Sequence, residues 1–200
     1  MAAEMMERGR QNWTKLEDHL RRNVKARRYV FVTDNYEIFS NCKHDPNTNG
    51  IHDLLDLSKA NFEVGPNSIL ISGDMKCAWK GVEPNDRVKL IIELFKFSRG
   101  YWQSTPFTII TMDFCKEQFM PKKYWYDNWT QYIPEEERLC VTNFGHIYHM
   151  QEYEFRLIFD LTIQVNGLHK IEFKAWAYDE DNKLRNTSIC FEIEGYFNRI

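Results

Sequence analysis

Residues 93–134 decide the fold, and they read ELFKFSRGYWQSTPFTIITMDFCKEQFMPKKYWYDNWTQYIP. Apolar residues alternate with polar ones on both sides of Ser98-Arg99-Gly100, and a period of two is typical of β-strands. Gly100 is the residue type that a tight turn favours. The stretch therefore predicts one strand before the turn and a second strand over residues 107–112.

Large aromatic side chains are concentrated after this second strand. Tyr124-Trp-Tyr126 and Trp129 follow Asp113-Phe-Cys115 within a few residues, and such side chains bury much area in little sequence. Packing into a solid core is the simplest interpretation. We expect a short helical excursion near residues 116–132, with Asp113 as a helix N-cap or turn residue.

Alternation recurs along the rest of the chain. Asn166-Gly167 is a strong two-residue hairpin signal, and it separates a predicted strand over residues 154–165 from one over residues 171–178. Several short strands at hairpin spacing predict an all-β fold of two sheets, a sandwich or cup. The other predicted strands cover residues 29–32, 36–39, 68–78, 88–97 and 189–197.

Length and composition are typical of one globular domain. Two hundred residues can bury a single core, and an aromatic content of 15% argues against disorder. The net charge of −3 gives no reason to expect nucleic acid as a partner. No apolar run approaches the roughly 18 residues that a membrane-spanning helix needs.

The charge is uneven along the chain. Residues 1–28 carry eight Lys or Arg and four Asp or Glu, whereas residues 29–200 carry a net charge of −7. The basic segment is either an amphipathic helix that lies on a membrane or a solvated extension outside a domain that covers residues 29–200. Four of its apolar residues recur at helical spacing: Trp13, Leu16, Leu20 and Val24.

Catalytic motifs do not occur in the sequence. It contains no Gly-x-Ser-x-Gly elbow, Walker loop, dinucleotide fingerprint or His-Glu-x-x-His pattern. His146 and His149 are three residues apart, but on a loop or strand this spacing does not predict a shared metal. We expect no enzyme, no catalytic residues, no cofactor and no metal.

Seven short phrases carry a resemblance to a known family. In order and spacing, over residues 29–200, they resemble the insect CheB family of chemosensory proteins. That family is distantly similar to the ganglioside-activator branch of the ML lipid-recognition superfamily. The phrases are Arg99-Gly-Tyr-Trp102, Asp113-Phe-Cys115, Tyr124-Trp-Tyr126, Asn128-Trp-Thr130, Phe173-Lys-Ala-Trp-Ala-Tyr178, Thr187-Ser-Ile-Cys190 and Glu192-Ile-Glu-Gly195.

The resemblance implies an extracellular protein in the perception of contact (gustatory) pheromones. Such a protein binds or presents a hydrophobic, lipid-like ligand to a receptor on a sensory neuron. In the ML superfamily, lipid enters between the two sheets. If this chain does the same, alternation places eight residues in the cavity: Phe95, Trp102, Phe107, Ile109, Phe114, Trp125, Phe155 and Phe159.

A second function is compatible with the same residues. The chain is then a ligand-free interaction module that modulates a membrane receptor or channel through exposed aromatic residues at positions 124–129. A solid core without a pocket favours this alternative.

Secretion is implied by the resemblance, yet residues 1–28 lack the apolar centre of a signal peptide. Either a start that carries the signal is missing or replaced, or this chain is not exported. Three Asn-x-Ser/Thr sequons favour export, and we expect an extracellular protein with glycans at Asn128 and Asn186.

Five cysteines occur without zinc-site spacing: Cys42, Cys77, Cys115, Cys140 and Cys190. They are either disulfide-bonded or, in a reducing compartment, buried thiols. Similarity to the ganglioside activator implies the pairs Cys115–Cys140 and Cys42–Cys190. Cys77 is then left as a buried or free thiol.

Overall fold

The computed structural model describes residues 26–33, 37–162 and 164–200 of the chain. The predicted basic helix near Trp13 lies outside these residues, as does the sequon at Asn12. The strands are β1 (Arg27–Val32), β2 (Ser40–Asn41), β3 (Leu55–Val64), β4 (Ile69–Cys77), β5 (Arg87–Ser98), β6 (Tyr101–Thr111), β7 (Ile147–Phe155), β8 (Leu157–Leu161), β9 (Leu168–Tyr178) and β10 (Leu184–Arg199).

The larger sheet is curled into a half-barrel. Its antiparallel strands run in the order β6-β5-β9-β10-β1-β8, and β2 pairs with β10. The β5–β6 hairpin turns at Arg99 (φ 56) and Gly100 (φ 86). A type I′ turn needs positive φ at both centres, so the predicted turn is confirmed. β6 begins at Tyr101, six residues before its predicted start.

Within the described ranges, the smaller sheet has three antiparallel strands in the order β3-β4-β7. Alternate residues of β4 and β7, such as Ile71, Met75 and Tyr148, are buried against the larger sheet. One face of each sheet is therefore apolar, and the two apolar faces pack together. This arrangement confirms the predicted all-β cup or sandwich of two sheets.

Residues 112–146, which connect β6 to β7, form a helical excursion that is longer than the one predicted near residues 116–132. Asp113 caps its first helix, because its carboxylate accepts a hydrogen bond from the Lys116 backbone N–H at 3.1 Å. The excursion contains four short helical segments: Phe114–Glu117, Tyr124–Asn128, and the 3₁₀ turns Thr130–Tyr132 and Glu135–Glu137. A further helical turn, Ile51–Leu54, precedes β3.

The predicted hairpin at Asn166-Gly167 is wrong. Gly167 does have a positive φ of 82, as a turn glycine should. The strands on either side of it do not pair, however: among the described residues β8 pairs with β1, and β9 pairs with β5 and β10. The dipeptide therefore turns the chain between strands at different places in the same sheet.

The prediction of one strand over residues 154–165 is also wrong, because the chain forms two strands there. β7 belongs to the smaller sheet and β8 to the larger one, and Arg156 lies between them.

The first predicted strand, by contrast, begins earlier than expected. β1 starts at Arg27, and Arg28 pairs with Asp160 at 3.0 Å, so the domain starts before residue 29. Residues 37–39, predicted as strand, are irregular.

Two disulfides fix the chain, and they join Cys42 to Cys190 and Cys115 to Cys140. These are the pairs that the resemblance implied. Cys77 is free and buried, and burial raises the pKa of its thiol to about 11. No helix in the described part of the chain is long and apolar enough to cross a membrane.

Candidate ligand cavity

An apolar cavity of about 210 Å³ lies between the two sheets and is partly open to solvent. The smaller sheet, the larger sheet and the excursion each supply part of its wall. None of the described lining residues carries a charge. Lining side chains include Leu55, Phe62, Ile71, Met75, Tyr153 and Phe155 from the smaller sheet, Val88, Leu90, Phe173, Ala175 and Phe191 from the larger sheet, and Phe114, Tyr124, Trp125 and Trp129 from the excursion.

Aromatic contacts hold the excursion over this cavity. Trp125 packs edge-to-face on Phe114, with 5.2 Å between ring centroids, and its Nε1–H donates to Thr111 Oγ1 at 2.9 Å. Tyr132 stacks on Tyr153 of β7, with centroids 3.8 Å apart. Because the Trp125 hydrogen bond reaches the larger sheet and the Tyr132 stack reaches the smaller one, this wall is built into the fold.

The cavity is also electrically neutral. Burial raises the pKa of Tyr124 to about 12 and raises that of Tyr153 well above its ordinary value. Both phenols therefore stay protonated at any physiological pH. A cavity with this lining favours apolar molecules and penalises an unpaired charge.

A smaller cavity of about 60 Å³ adjoins the first. Its wall includes Phe31 and Ile38, near the β1 end of the larger sheet. Six of the residues that the structure describes line both cavities: Phe39, Phe62, Ile71, Phe155, Leu157 and Ile193.

Three of the eight predicted cavity residues line the larger cavity: Phe114, Trp125 and Phe155. Phe95 and Trp102 do not, which corrects the prediction. They lie on the opposite face of the larger sheet, where the Lys170 ammonium sits 5.2 Å from the Phe95 ring and 5.3 Å from the Trp102 ring. Their aromatic faces bury a cation instead of a ligand.

Phe107, Ile109 and Phe159 also lie outside the cavity. Ile109 belongs to the edge strand β6, is 37% exposed, and has no strand of the smaller sheet beside it in the described topology. Phe107 and Phe159 pack in a second core cluster with Phe197, whose ring centroid is 5.5 Å from that of Phe159. The larger sheet is wider than the smaller one, so its outer strands extend beyond the cavity.

Of the 21 described lining residues that the prediction missed, seven come from β3, β9 and β10. Phe173 and Ala175 alternate with Lys174 and Trp176, so their shared apolar face is visible in the sequence. Phe62 alternates with Asn61 and Glu63 on β3, a strand that the sequence analysis did not predict. Its place in the wall depends on which sheet faces β3, which is long-range information.

The aromatic residues at positions 124–129, which the alternative function needs, do not form an exposed surface. Tyr124, Trp125, Tyr126 and Trp129 are all half-buried. Asn128, a predicted glycan site, lines the cavity, and its Nδ2 donates to the Tyr124 carbonyl at 2.8 Å. Asn186, the other predicted site, is exposed.

His146 and His149 both contact Glu137. His146 Nε2 lies 2.7 Å from the Glu137 carbonyl oxygen, and His149 Nδ1 lies 2.6 Å from Glu137 Oε1. Among the described residues, one group of metal-ligand types converges elsewhere, namely Cys42, Glu172 and Cys190. Its two sulfurs are bonded to each other and are not available as thiolate ligands.

Comparison of the chain with protein-family models and with curated proteins finds no match. The resemblance to the CheB family thus remains a prediction from the residues quoted for it.

Proposed function

We propose that this chain is an extracellular chemosensory protein. It binds a hydrophobic, lipid-like ligand between its sheets and presents it to a receptor or ion channel of a sensory neuron, in the perception of contact pheromones. The observation that carries the binding step is the uncharged cavity of about 210 Å³. Clefts that are mostly apolar, with few polar groups, are the usual sites of small-molecule binding.

The disulfides support the extracellular part of the proposal. Structural disulfides persist in oxidising compartments and are rare in the cytosol. Here they link Cys42 to Cys190 and Cys115 to Cys140, at the two ends of long chain segments. The chemosensory role itself comes from the family resemblance.

A cavity-filling variant tests the binding step. Ala175 lies on β9 in the cavity wall, so Ala175→Phe places a ring in the ligand space. Ile110→Phe is the control, because Ile110 is 57% exposed on the same sheet and adds its ring outside the cavity. Each protein is secreted from insect cells, and its bound small molecules are identified by mass spectrometry.

We expect neutral apolar molecules in the unchanged protein and in Ile110→Phe, and at least a tenfold loss in Ala175→Phe. Equal amounts of ligand in all three proteins would refute the cavity as the binding site. Absence of ligand from all three, together with no uptake of added alkanes, would favour the alternative function.

That alternative is a ligand-free module that modulates a receptor or channel. The aromatic residues at positions 124–129, its predicted contact surface, are half-buried. The exposed side chains Ile110 and Met112, at 57% and 55%, are the better candidates for such a surface.

A further inference from the structure

Four phenylalanine rings cross the space between the two sheets in consecutive contact. Phe62 on β3 packs edge-to-face on Phe39, with centroids 5.7 Å apart. Phe39 packs in the same way on Phe191 of β10, also at 5.7 Å. Phe191 stacks on Phe173 of β9 at 4.7 Å. The row therefore connects the smaller sheet to the larger one.

This row lies where the two cavities meet. Phe39 and Phe62 line both cavities, whereas Phe173 and Phe191 line the larger one. Phe31 lines only the smaller cavity. The ring of Phe39, which comes from the connection between β1 and β2, thus lies in the middle of a partition between spaces of about 210 and 60 Å³.

We infer that the ligand is a neutral molecule with a single slender apolar chain, and that the Phe39–Phe62 pair sets the chain length. The inference rests on the proposed function and names the ligand class for that site. None of the described residues around either cavity is charged, so an ionised head group inside would lack a partner.

Volume limits the chain. A cavity of about 150 Å³ is known to hold benzene, so 210 Å³ has room for roughly eight non-hydrogen atoms by proportion. Joining the smaller cavity extends this to roughly eleven atoms. Lipids with two long chains do not fit either volume.

A homologous series of ligands tests the partition. Primary alcohols of six to fourteen carbons are titrated by calorimetry into the secreted, disulfide-bonded chain. Each buried methylene should tighten binding roughly fourfold until the chain reaches the partition, after which affinity levels off. We expect this plateau in the unchanged protein, and a plateau two or more carbons later in Phe39→Ala.

Phe31→Ala is the matched control. It removes the same number of atoms, but from a wall that belongs to the smaller cavity alone, and leaves the partition in place. Its plateau should match that of the unchanged protein. If Phe39→Ala does not fold, Phe39→Leu replaces it, with Phe31→Leu as its control.

Three outcomes contradict the inference in distinguishable ways. A plateau at the same length in the unchanged protein and in the Phe39 variant refutes the partition but leaves the cavity as a binding site. Binding that is tighter for carboxylates than for alcohols of equal length refutes the neutral ligand class. If no alcohol binds at any length, the proposed function fails as well.

Discussion

The two faces of the larger sheet are built from the same strands but bury opposite kinds of side chain, apolar on one face and charged on the other. On β9, Ile171, Phe173 and Ala175 face the smaller sheet and leave a cavity, and we call this the cavity face. The residues that alternate with them, Lys170, Glu172 and Lys174, form the charged face, whose ionic groups are largely buried. Neighbouring residues of β9 thus lie on opposite faces: one set borders the space for a ligand, and the other belongs to a dense ionic network.

Three carboxylates lie in one row on the charged face. Glu93, Glu172 and Glu192 are directly opposite one another on β5, β9 and β10. Like charges in this arrangement repel. Lys170 and Lys174, two residues before and after Glu172, insert between them: Lys170 Nζ lies 2.5 Å from Glu192, and Lys174 Nζ lies 2.6 Å from Glu172.

Burial and pairing compete in this network. Burial is the largest single influence on Lys174 and lowers its pKa, but hydrogen bonds and charges from Glu172 and Glu93 outweigh it and raise the pKa overall. Ion pairs hold the Glu172 carboxylate, at 2.6 Å from Lys174 and 3.5 Å from Lys170. The charged face depends on complete pairing, whereas the cavity face tolerates empty space.

Each face has its own disulfide, so removing the disulfides one at a time should affect the two faces separately. Cys42–Cys190 lies on the charged face, where its sulfurs are within 4.8 Å of a Glu172 carboxylate oxygen. Cys115–Cys140 closes the excursion over the cavity face. The sequence separations are 148 and 25 residues.

The largest effect is expected for Cys42→Ser with Cys190→Ser. By chain entropy, the longer loop stabilises the fold by about 5 kcal/mol and the shorter one by about 3.5 kcal/mol. Denaturant unfolding of each double variant measures both values. The Cys115→Ser, Cys140→Ser protein should lose less stability but more ligand binding. The reverse order in both measurements would contradict the assignment of one disulfide to each face.

Lys170→Met should be the next most destabilising change, at about 3–5 kcal/mol, because it leaves Glu172 and Glu192 buried with fewer partners. Lys76→Met is the control, since Lys76 is exposed on β4 and its loss should stay within about 0.5 kcal/mol. Adding Glu192→Gln to Lys170→Met should restore part of the loss. No rescue would show that packing, rather than charge, makes Lys170 important.

The same comparison explains what the sequence could predict. Alternation on β9 and the turn at Arg99-Gly100 follow from local chemistry, and both were predicted correctly. Alternation shows which residues share a face, but not which face meets the other sheet. Phe95 and Trp102 were therefore assigned to the cavity, although they cover Lys170.

The sequence pattern does not show the change of sheet at Arg156, for a related reason. Tyr153 and Phe155 on β7 point into the cavity, and Leu157 on β8 lines it as well. The odd-numbered residues stay apolar across the break, so the period of two continues while the pairing partner changes. Strand partners are decided by distant residues, and the Asn166-Gly167 turn was misread because its strands pair elsewhere.

The N-cap of the first helix in the excursion allows a variant on the cavity face with a smaller expected loss of stability. Asp113→Ala removes the carboxylate that accepts from the Lys116 N–H and should cost about 1 kcal/mol. Asp113→Asn keeps an acceptor and should lose only a few tenths of that amount. Thermal melting measures the difference. Equal losses for both variants would show that the charge of Asp113, and not its capping bond, is what matters.

The smallest effect concerns the exposed ion pair that ties the excursion to β7. A hydrogen bond to Glu137, and its charge, raise the pKa of His149, while the His149 backbone N–H, 2.7 Å from Glu137 Oε2, and then the imidazole lower the pKa of Glu137. Asp74 also raises the His149 pKa, and His146 adds to the effect on Glu137.

The sign of the pH dependence follows from these two directions. The contribution of His149 is complete below its unfolded pKa of about 6.5 and is lost as the pH rises through its higher folded pKa. That of Glu137 is complete above about 4.3 and is lost as the pH falls through its lower folded pKa. The contact is therefore strongest between about pH 4.3 and 6.5.

His149→Gln should consequently lower the melting temperature by at most a few degrees at pH 5.5, and by less at pH 9. His52→Gln, at another exposed histidine, is the control and should show no such difference. The loss is small because solvent screens an exposed pair, in contrast to the buried pairs of Lys170. A loss as large as that of Lys170→Met would mean that His149 supports the cavity wall by packing, and the contrast between the two kinds of ion pair would fail.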